Sequence, residues 1–166
     1  NPKTYYLQEH LPVREQREAV GHAVRATYLY SAMADIVSVA GDETLLPALD
    51  ALWHDIVDRK MHITGGLGAV PGIEGFGPAY VLPNRDTYNE TCAAIALAMF
   101  AGEMQETEPN SRYGDLIERI YYNGSISGVS LDGEEYFYSN PLEVDRKKYA
   151  HSTYQTWCRR QKSFFC

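Results

Sequence analysis

The stretch Val20-Gly21-His22-Ala23-Val24-Arg25-Ala26-Thr27-Tyr28, continuing through Ser31 to Ala34, decides the fold class of this chain. Val20, Ala23, Val24, Thr27, Tyr28, Ser31 and Ala34 recur at steps of three and four residues, the spacing that aligns side chains on one face of an α-helix. Pro12 precedes the run and Gly41 follows it, so the pattern predicts a long amphipathic helix from Val13 to Ala40. A second helix is predicted from about Asp42, a suitable N-cap, to Met61, with Leu45, Leu49, Leu52, Trp53, Ile56 and Val57 on one face and Pro47 tolerated in its first turns. The connection between the two is short, which predicts an antiparallel hairpin. A second pair follows, from near Thr87 to about Glu106 and from about Ser111 to Tyr122, stopping at Asn123-Gly124. After it, Leu131-Asp132-Gly133-Glu134 is a turn signal, Glu135-Tyr136-Phe137-Tyr138 reads as a short strand, and Asp145 to Gln161 has no clean period. Helix pairs joined by alternately short and long loops predict a mainly α fold, an α-solenoid or an (α/α) toroid, with its functional loops gathered at one end. No repeat of fixed period points to an ankyrin-type array.

Composition narrows the function. The 166 residues are 45% hydrophobic and 22% charged, enough for a buried core and unlike a disordered tail. No apolar stretch is long enough for a spanning helix. Fifteen Lys and Arg stand against 22 Asp and Glu, a formal charge of -7 with no basic block, which disfavours a phosphate-backbone partner; neither nucleic acid nor membrane is expected. Three cysteines, Cys92, Cys158 and Cys166, are too few for a disulfide scaffold, so reduced thiols and a cytoplasmic rather than periplasmic setting are expected. The chain opens at Asn1 and stops at Cys166, and it reads as a fragment. Thirteen tyrosines suit a sugar-binding cleft but equally an ordinary core.

Between the helix pairs lies Gly65-Gly66-Leu67-Gly68-Ala69-Val70-Pro71-Gly72-Ile73-Glu74-Gly75-Phe76-Gly77-Pro78, too rich in breakers for helix or central strand. It is not a nucleotide loop: after Gly66-Leu67-Gly68 the third glycine position is Pro71, no helix follows directly, and Gly-Lys-Ser/Thr is absent. Glu74, set between glycines and close to Phe76, suits a general acid if the loop is dry, and otherwise is a solvent-facing glutamate. Glu90 and Cys92 open the third helix two residues apart; they share a side only if Glu90 is still in the loop, and both residue types can ligate zinc. Taken alone, Cys92 also reads as a small core residue. No HExxH or CxxC pairing is present. His22 reads as a mid-helix histidine satisfied by Glu18 one turn back. Asn89-Glu90-Thr91 and Asn123-Gly124-Ser125 match the glycosylation sequon by chance.

His10-Leu11-Pro12-Val13-Arg14-Glu15-Gln16, Val20-Gly21-His22-Ala23-Val24-Arg25-Ala26, Lys60-Met61-His62-Ile63-Thr64-Gly65-Gly66-Leu67-Gly68, the Glu74 loop, Leu82-Pro83-Asn84, Tyr88-Asn89-Glu90-Thr91-Cys92, Tyr121-Tyr122-Asn123-Gly124 and Phe137-Tyr138-Ser139-Asn140-Pro141-Leu142 occur in one order. That order resembles the bacterial β-L-arabinofuranosidases, glycoside hydrolase family 127 and its relatives, over about His10 to Cys166. The resemblance implies that residues 1–166 are the later part of an (α/α)6 barrel catalytic domain whose flanking β-sandwich domains are absent. It further implies a retaining hydrolase of non-reducing-end β-L-arabinofuranosyl residues, with Glu74 as acid/base, Cys166 as nucleophile, and Zn2+ held by Glu90, Cys92 and Cys166. Cys158 competes for the place of Cys166. His22, Tyr138 and Glu90 match residues that contact the sugar, and the substrate implied is an arabinose-containing oligosaccharide or glycoconjugate. A homodimer of the full-length parent is compatible with this reading. A related hydrolase for another sugar, and a non-catalytic helical carbohydrate-binding or scaffold protein, are the alternatives. The isolated fragment is expected to be inactive and poorly stable.

Overall fold

Alanine sets how the helices meet. The computed structural model describes residues 2–143 and the backbone of residues 158–160. Its helices are α1 (Pro2–Tyr6), α2 (Ala23–Ala40), α3 (Leu46–Arg59), α4 (Thr91–Thr107) and α5 (Ser111–Arg119). α4 buries Ala93, Ala94, Ala96, Leu97, Ala98, Phe100, Ala101 and Met104, and α2 buries Ala23, Ala26, Tyr30, Met33, Ala34 and Val37. Small side chains let two backbones approach closely, so the most extensive neighbour of α2 is α4 rather than α3. This modifies the expected α2–α3 hairpin: those two helices touch, but less. α3 and α5 each bury one face and expose the other, with Leu49, Leu52, Trp53 and Ile56 inward on α3 and Tyr113 and Leu116 inward on α5. Trp53 meets Phe100 of α4 and Tyr113 of α5 edge-on, at ring-centroid distances of 5.8 and 4.6 Å, and so locks three helices into one core.

The ends of the helices follow from local chemistry. Gly41 adopts φ 69°, and its N–H bonds to the Val37 carbonyl, which ends α2. Asp42 accepts from the Thr44 N–H and starts a single 3-10 turn before α3, with Pro47 in the first turn. Asn110 accepts from the Arg112 N–H to open α5. α5 does not stop at the expected glycine; it widens into a π turn over Ile120–Ser125, which contains Asn123-Gly124.

The first predicted helix begins ten residues late. Val13–Glu15 is one isolated 3-10 turn, and α2 starts only at Ala23. Gly21 has φ 74°, and a Cβ there would lie 2.3 Å from the Tyr5 carbonyl oxygen, so the chain passes too close to the end of α1 for a helix to run through. Backbone groups of this segment are satisfied by side chains instead: Gln8 Nε2 donates to the Val20 carbonyl, and buried Gln16 Nε2 donates to the carbonyls of Gln8 and Leu11.

Ser130 N–H donates to the Glu135 carbonyl, Gly133 adopts φ 75°, and Val129 pairs with Tyr136, so the predicted turn forms. Strand β1 (Glu135–Phe137) pairs antiparallel with β2 (Cys158–Arg160), with Phe137 opposite Cys158. The second strand therefore comes from the stretch whose structure the sequence left open. Among the described residues no helix is long and apolar enough to cross a membrane.

Candidate active site

Two glycines bring His22 and Glu74 together. The loop carrying Glu74 doubles back so that Val70 and Gly75 exchange backbone hydrogen bonds, and Glu74 sits at its tip with φ 50°. Gly75 lies against Gly21: a Cβ on Gly75 would come within 2.4 Å of the Gly21 carbonyl oxygen. That approach lets Phe76 N–H donate to the Gly21 carbonyl and Ala23 N–H to the Glu74 carbonyl. The backbone thus fixes both residues, and His22 Nε2 stands 3.3 Å from Glu74 Oε2. His22 is the N-cap residue of α2, and Glu18 pairs with Lys60, so the expected mid-helix His22–Glu18 pair is replaced by His22–Glu74. Of the two settings the loop left open for Glu74, the structure shows the solvent-facing one. The Glu74 side chain is 37% exposed, while Phe76 turns into the core.

Glu90 reaches the same place from the start of α4. Three extended segments cross there: Glu90 pairs with Leu67 on one side and Ser139 on the other. Asn89 takes φ 45°, a conformation Asn tolerates better than most residues, and its N–H donates to the Gly68 carbonyl. Thr91 N–H and Oγ1 donate to the Tyr138 and Phe137 carbonyls. The Glu90 carbonyl begins the helix by accepting from Ala93 and Ala94, and its side chain makes no cap bond. The carboxyl is therefore available to the site. One donor atom from each of His22, Glu74 and Glu90 lies within 4.8 Å of the other two.

The electrostatics divide the groups by role. Glu90 is 2% exposed, and burial pushes its carboxyl up to about 7, aided by the Glu74 charge and opposed by its hydrogen bond with Tyr138. Burial holds the His22 imidazole below its ordinary value, against the pull of Glu74. Tyr88 and Tyr138 meet edge to face at 6.1 Å, and burial together with the carboxylates raises both phenols above their usual range. Two protonated phenols thus flank two carboxyl groups. The site can donate and accept protons and bind hydroxyls from several directions.

The profile of the family described as "Beta-L-arabinofuranosidase, GH127 catalytic domain" matches residues 2–166. The chain belongs to the GH127 family. It is 44% identical over 142 residues to the "Non-reducing end beta-L-arabinofuranosidase" of Bifidobacterium longum subsp. longum, covering 86% of this chain and 22% of that protein. A GH127 β-L-arabinofuranosidase structure from Geobacillus stearothermophilus T6 superposes with a TM-score of 0.86 at 49% identity, over 89% of this chain and 23% of that one. A second GH127 β-arabinofuranosidase structure gives 0.83 at 50% identity, covering 85% and 22%. The chain spans about a fifth of the length of these relatives. Its helical arrangement is that of a piece of the GH127 helical toroid.

Of the GH127 residues expected from sequence, His22, Glu74, Glu90 and Tyr138 converge. Cys92 lies in the first turn of α4, two residues beyond Glu90, with Glu90 still in extended backbone as the shared side requires. It is disulfide-bonded, against the expectation of reduced thiols. The backbone of Cys158 is paired with Phe137, next to Tyr138, and Cys166 lies outside the described residues. Tyr88 was not singled out from sequence, although it stands two residues before Glu90 and its phenol faces both carboxyl groups. The signal was its place in the Tyr88-Asn89-Glu90 run. Glu90 and a reduced Cys92 could hold zinc: a cation beside Glu90 would restore the charge that burial disfavours, and a Cys92 thiolate would add a sulfur from the same helix start.

Proposed function

We propose that residues 1–166 are the later part of the catalytic barrel of a retaining glycosidase that removes non-reducing-end β-L-arabinofuranosyl residues from arabinose-containing glycans. The observation that carries this reading is the convergence of His22, Glu74 and Glu90 within 4.8 Å in a GH127 chain. Glu74 is the one carboxyl of the pair with substantial exposure, so it can meet a substrate oxygen and exchange protons with water. In the first step the thiolate of Cys166 forms a bond to the anomeric carbon, the glycosidic C–O bond breaks, and the Glu74 proton goes to the leaving oxygen. In the second, Glu74 takes a proton from water as the water oxygen attacks that carbon and sulfur leaves. Two inversions give retention.

Glu90, Cys92 and Cys166 would hold zinc, which supplies a deprotonated, oriented thiolate near neutral pH. A disulfide and a shared metal ion both need two sulfurs side by side, so the bonded Cys92 is compatible with a ligand role in the reduced protein. His22 and the Tyr138 phenol bind the sugar hydroxyls. In the full-length protein carrying this chain, Glu74→Gln is expected to slow hydrolysis of an aryl β-L-arabinofuranoside about 10²–10⁴-fold. Turnover near that of wild type overturns the assignment.

A further inference from the structure

Glu74 has the exposure that an acid/base needs but little to hold it in place. It stands at the tip of its loop with φ 50°, its side chain is 37% exposed, and the His22 contact at 3.3 Å is long for a hydrogen bond. A carboxyl free to rotate in solvent spends little time aimed at one oxygen, and a misplacement of about 1 Å can cost about 10²-fold in rate. A group of this kind works best when a rigid neighbour orients it.

Tyr88 is such a neighbour. Its phenol hydrogen-bonds with the Glu74 carboxyl, the Tyr138 phenol does so with Glu90, and the two phenols touch each other. Each phenol has one proton to give, and a carboxylate is a stronger acceptor than a phenol oxygen, so Tyr138 donates to Glu90 and Tyr88 to Glu74. The ring behind the Tyr88 phenol is fixed. Tyr88 is 2% exposed, its neighbours Thr87 and Asn89 are buried, and it meets the Tyr138 ring edge to face at 6.1 Å. Asn89 N–H and Thr87 Oγ1 both donate to the Gly68 carbonyl, and Asn89 Nδ2 donates to the Asn140 carbonyl at 2.7 Å. Gly68 belongs to the loop that carries Glu74, so the phenol and the carboxyl it meets are anchored to one frame.

We propose that Tyr88 is a positioning residue for Glu74: its phenol holds the carboxyl in the orientation from which Glu74 gives its proton to the leaving oxygen. This role rests on the glycosidase reading above. With one Glu74 oxygen held by the phenol, the other is left to carry the proton. A positioned acid matters in proportion to the leaving oxygen's need for a proton: an alkoxide needs one to depart, and a dinitrophenolate does not. The test compares kcat/KM for methyl and dinitrophenyl β-L-arabinofuranosides in the full-length protein carrying this chain, because kcat/KM covers the step that breaks the glycosidic bond. Tyr88→Phe keeps the ring and its contact with Tyr138 and removes only the O–H. It should lower the methyl-glycoside value about 10–10²-fold and the dinitrophenyl value by no more than about threefold. Both values are read on one protein, so their ratio does not depend on how much of the variant folds. In a Glu74→Gln background, where no acid remains to be oriented, Tyr88→Phe should change the methyl-glycoside value by less than about twofold. Equal losses on both substrates, no loss on either, or an undiminished loss in the Glu74→Gln background overturns the proposal, since a phenol that only supports Tyr138 and Glu90 acts on every substrate alike. A leaving-group-dependent loss in Glu74→Gln that Tyr88→Phe does not share sinks this role and leaves Glu74 as the acid. Methyl-glycoside turnover near that of wild type in Glu74→Gln sinks the glycosidase reading, and this role with it.

Discussion

Two clusters in this chain each set acidic groups beside a base, and they differ in how completely the charges are satisfied. Lys60 and Asp55 are 2% and 6% exposed and 2.9 Å apart. Lys60 Nζ also donates to the Ala19 carbonyl and to Glu18 Oε1, so all three of its donors are used, while Asp55 Oδ2 also accepts from the Ala19 N–H. The pair closes on itself and pins residues 18–19 to the end of α3, immediately before Gly21 and His22. The His22–Glu74–Glu90 cluster is open by comparison. His22 Nδ1 is buried without a partner, the His22–Glu74 contact is a long 3.3 Å, and Glu74 faces solvent. A closed ion pair holds a fold; a cluster with spare donors and acceptors holds it for something else.

The contrast predicts opposite responses to substitution. Glu74→Gln should have the largest effect on activity, the loss of about 10²–10⁴-fold already given, and should leave stability within about 0.5 kcal/mol, because it removes a half-exposed carboxylate from an unfinished network. Asp55→Ala should do the reverse. It removes the buried partner of Lys60 and leaves only the exposed Glu18 carboxylate against its charge, which costs about 3 kcal/mol, and denaturant unfolding of the full-length protein should show it. A stability loss in Glu74→Gln as large as in Asp55→Ala would erase the distinction. Metal content sharpens it further. Wild type is expected to hold about one zinc per chain, lost in Glu90→Ala and Cys92→Ala but kept in His22→Ala and Glu74→Gln. Zinc lost in His22→Ala, Glu74→Gln and Glu90→Ala but kept in Cys92→Ala would place the metal on His22, Glu74 and Glu90, and Glu74 could then no longer serve in proton transfer.

How far sequence could see also differs between the two clusters. Helix periodicity located α3, α4 and α5 because each carries an apolar face whose spacing survives in one dimension. It overran the start of α2, since the helix was begun after Pro12 although the apolar spacing starts only at Val20, and the close passage of the end of α1 past Gly21 forbids a helix through that point. That Glu74, Glu90, His22 and Tyr138 belong to one site was legible through ordered motifs, each local in sequence. Their partners were not, because they depend on backbone crossings. His22 meets Glu74 through Gly21 and Gly75, and Glu90 meets Tyr138 through the pairing of Thr91 with residues 137 and 138. The Lys60–Asp55–Glu18 network left no trace in sequence at all. A Lys and an Asp five residues apart at a helix end read as surface charge until the Ala19 backbone is laid over them.

The smallest expected effect concerns the glycine-rich loop that lies between the two clusters. His62 is 1% exposed, its Nε2 is 3.0 Å from Thr87 Oγ1, and its backbone brackets the loop through bonds to Gly65 and Gly66. Thr87 in turn donates to the Gly68 carbonyl, so this contact holds the loop that delivers Glu74. Burial lowers the His62 pKa below its ordinary 6.5, and the unfolded chain therefore takes up the proton at a higher pH than the folded one. Stability from this group is complete above pH 6.5 and is lost as pH falls through the lowered folded value. The half-buried imidazoles of His10 and His22 are lowered in the same direction, so the contribution has to be read as a difference. His62→Gln, which keeps a hydrogen-bonding side chain without the titration, should give a full-length protein whose midpoint falls less steeply between pH 6.5 and pH 5 than that of wild type. Equal slopes would mean that His62 stays neutral in both states or is protonated without disturbing the loop, and the link from Thr87 to Glu74 would then carry no pH dependence.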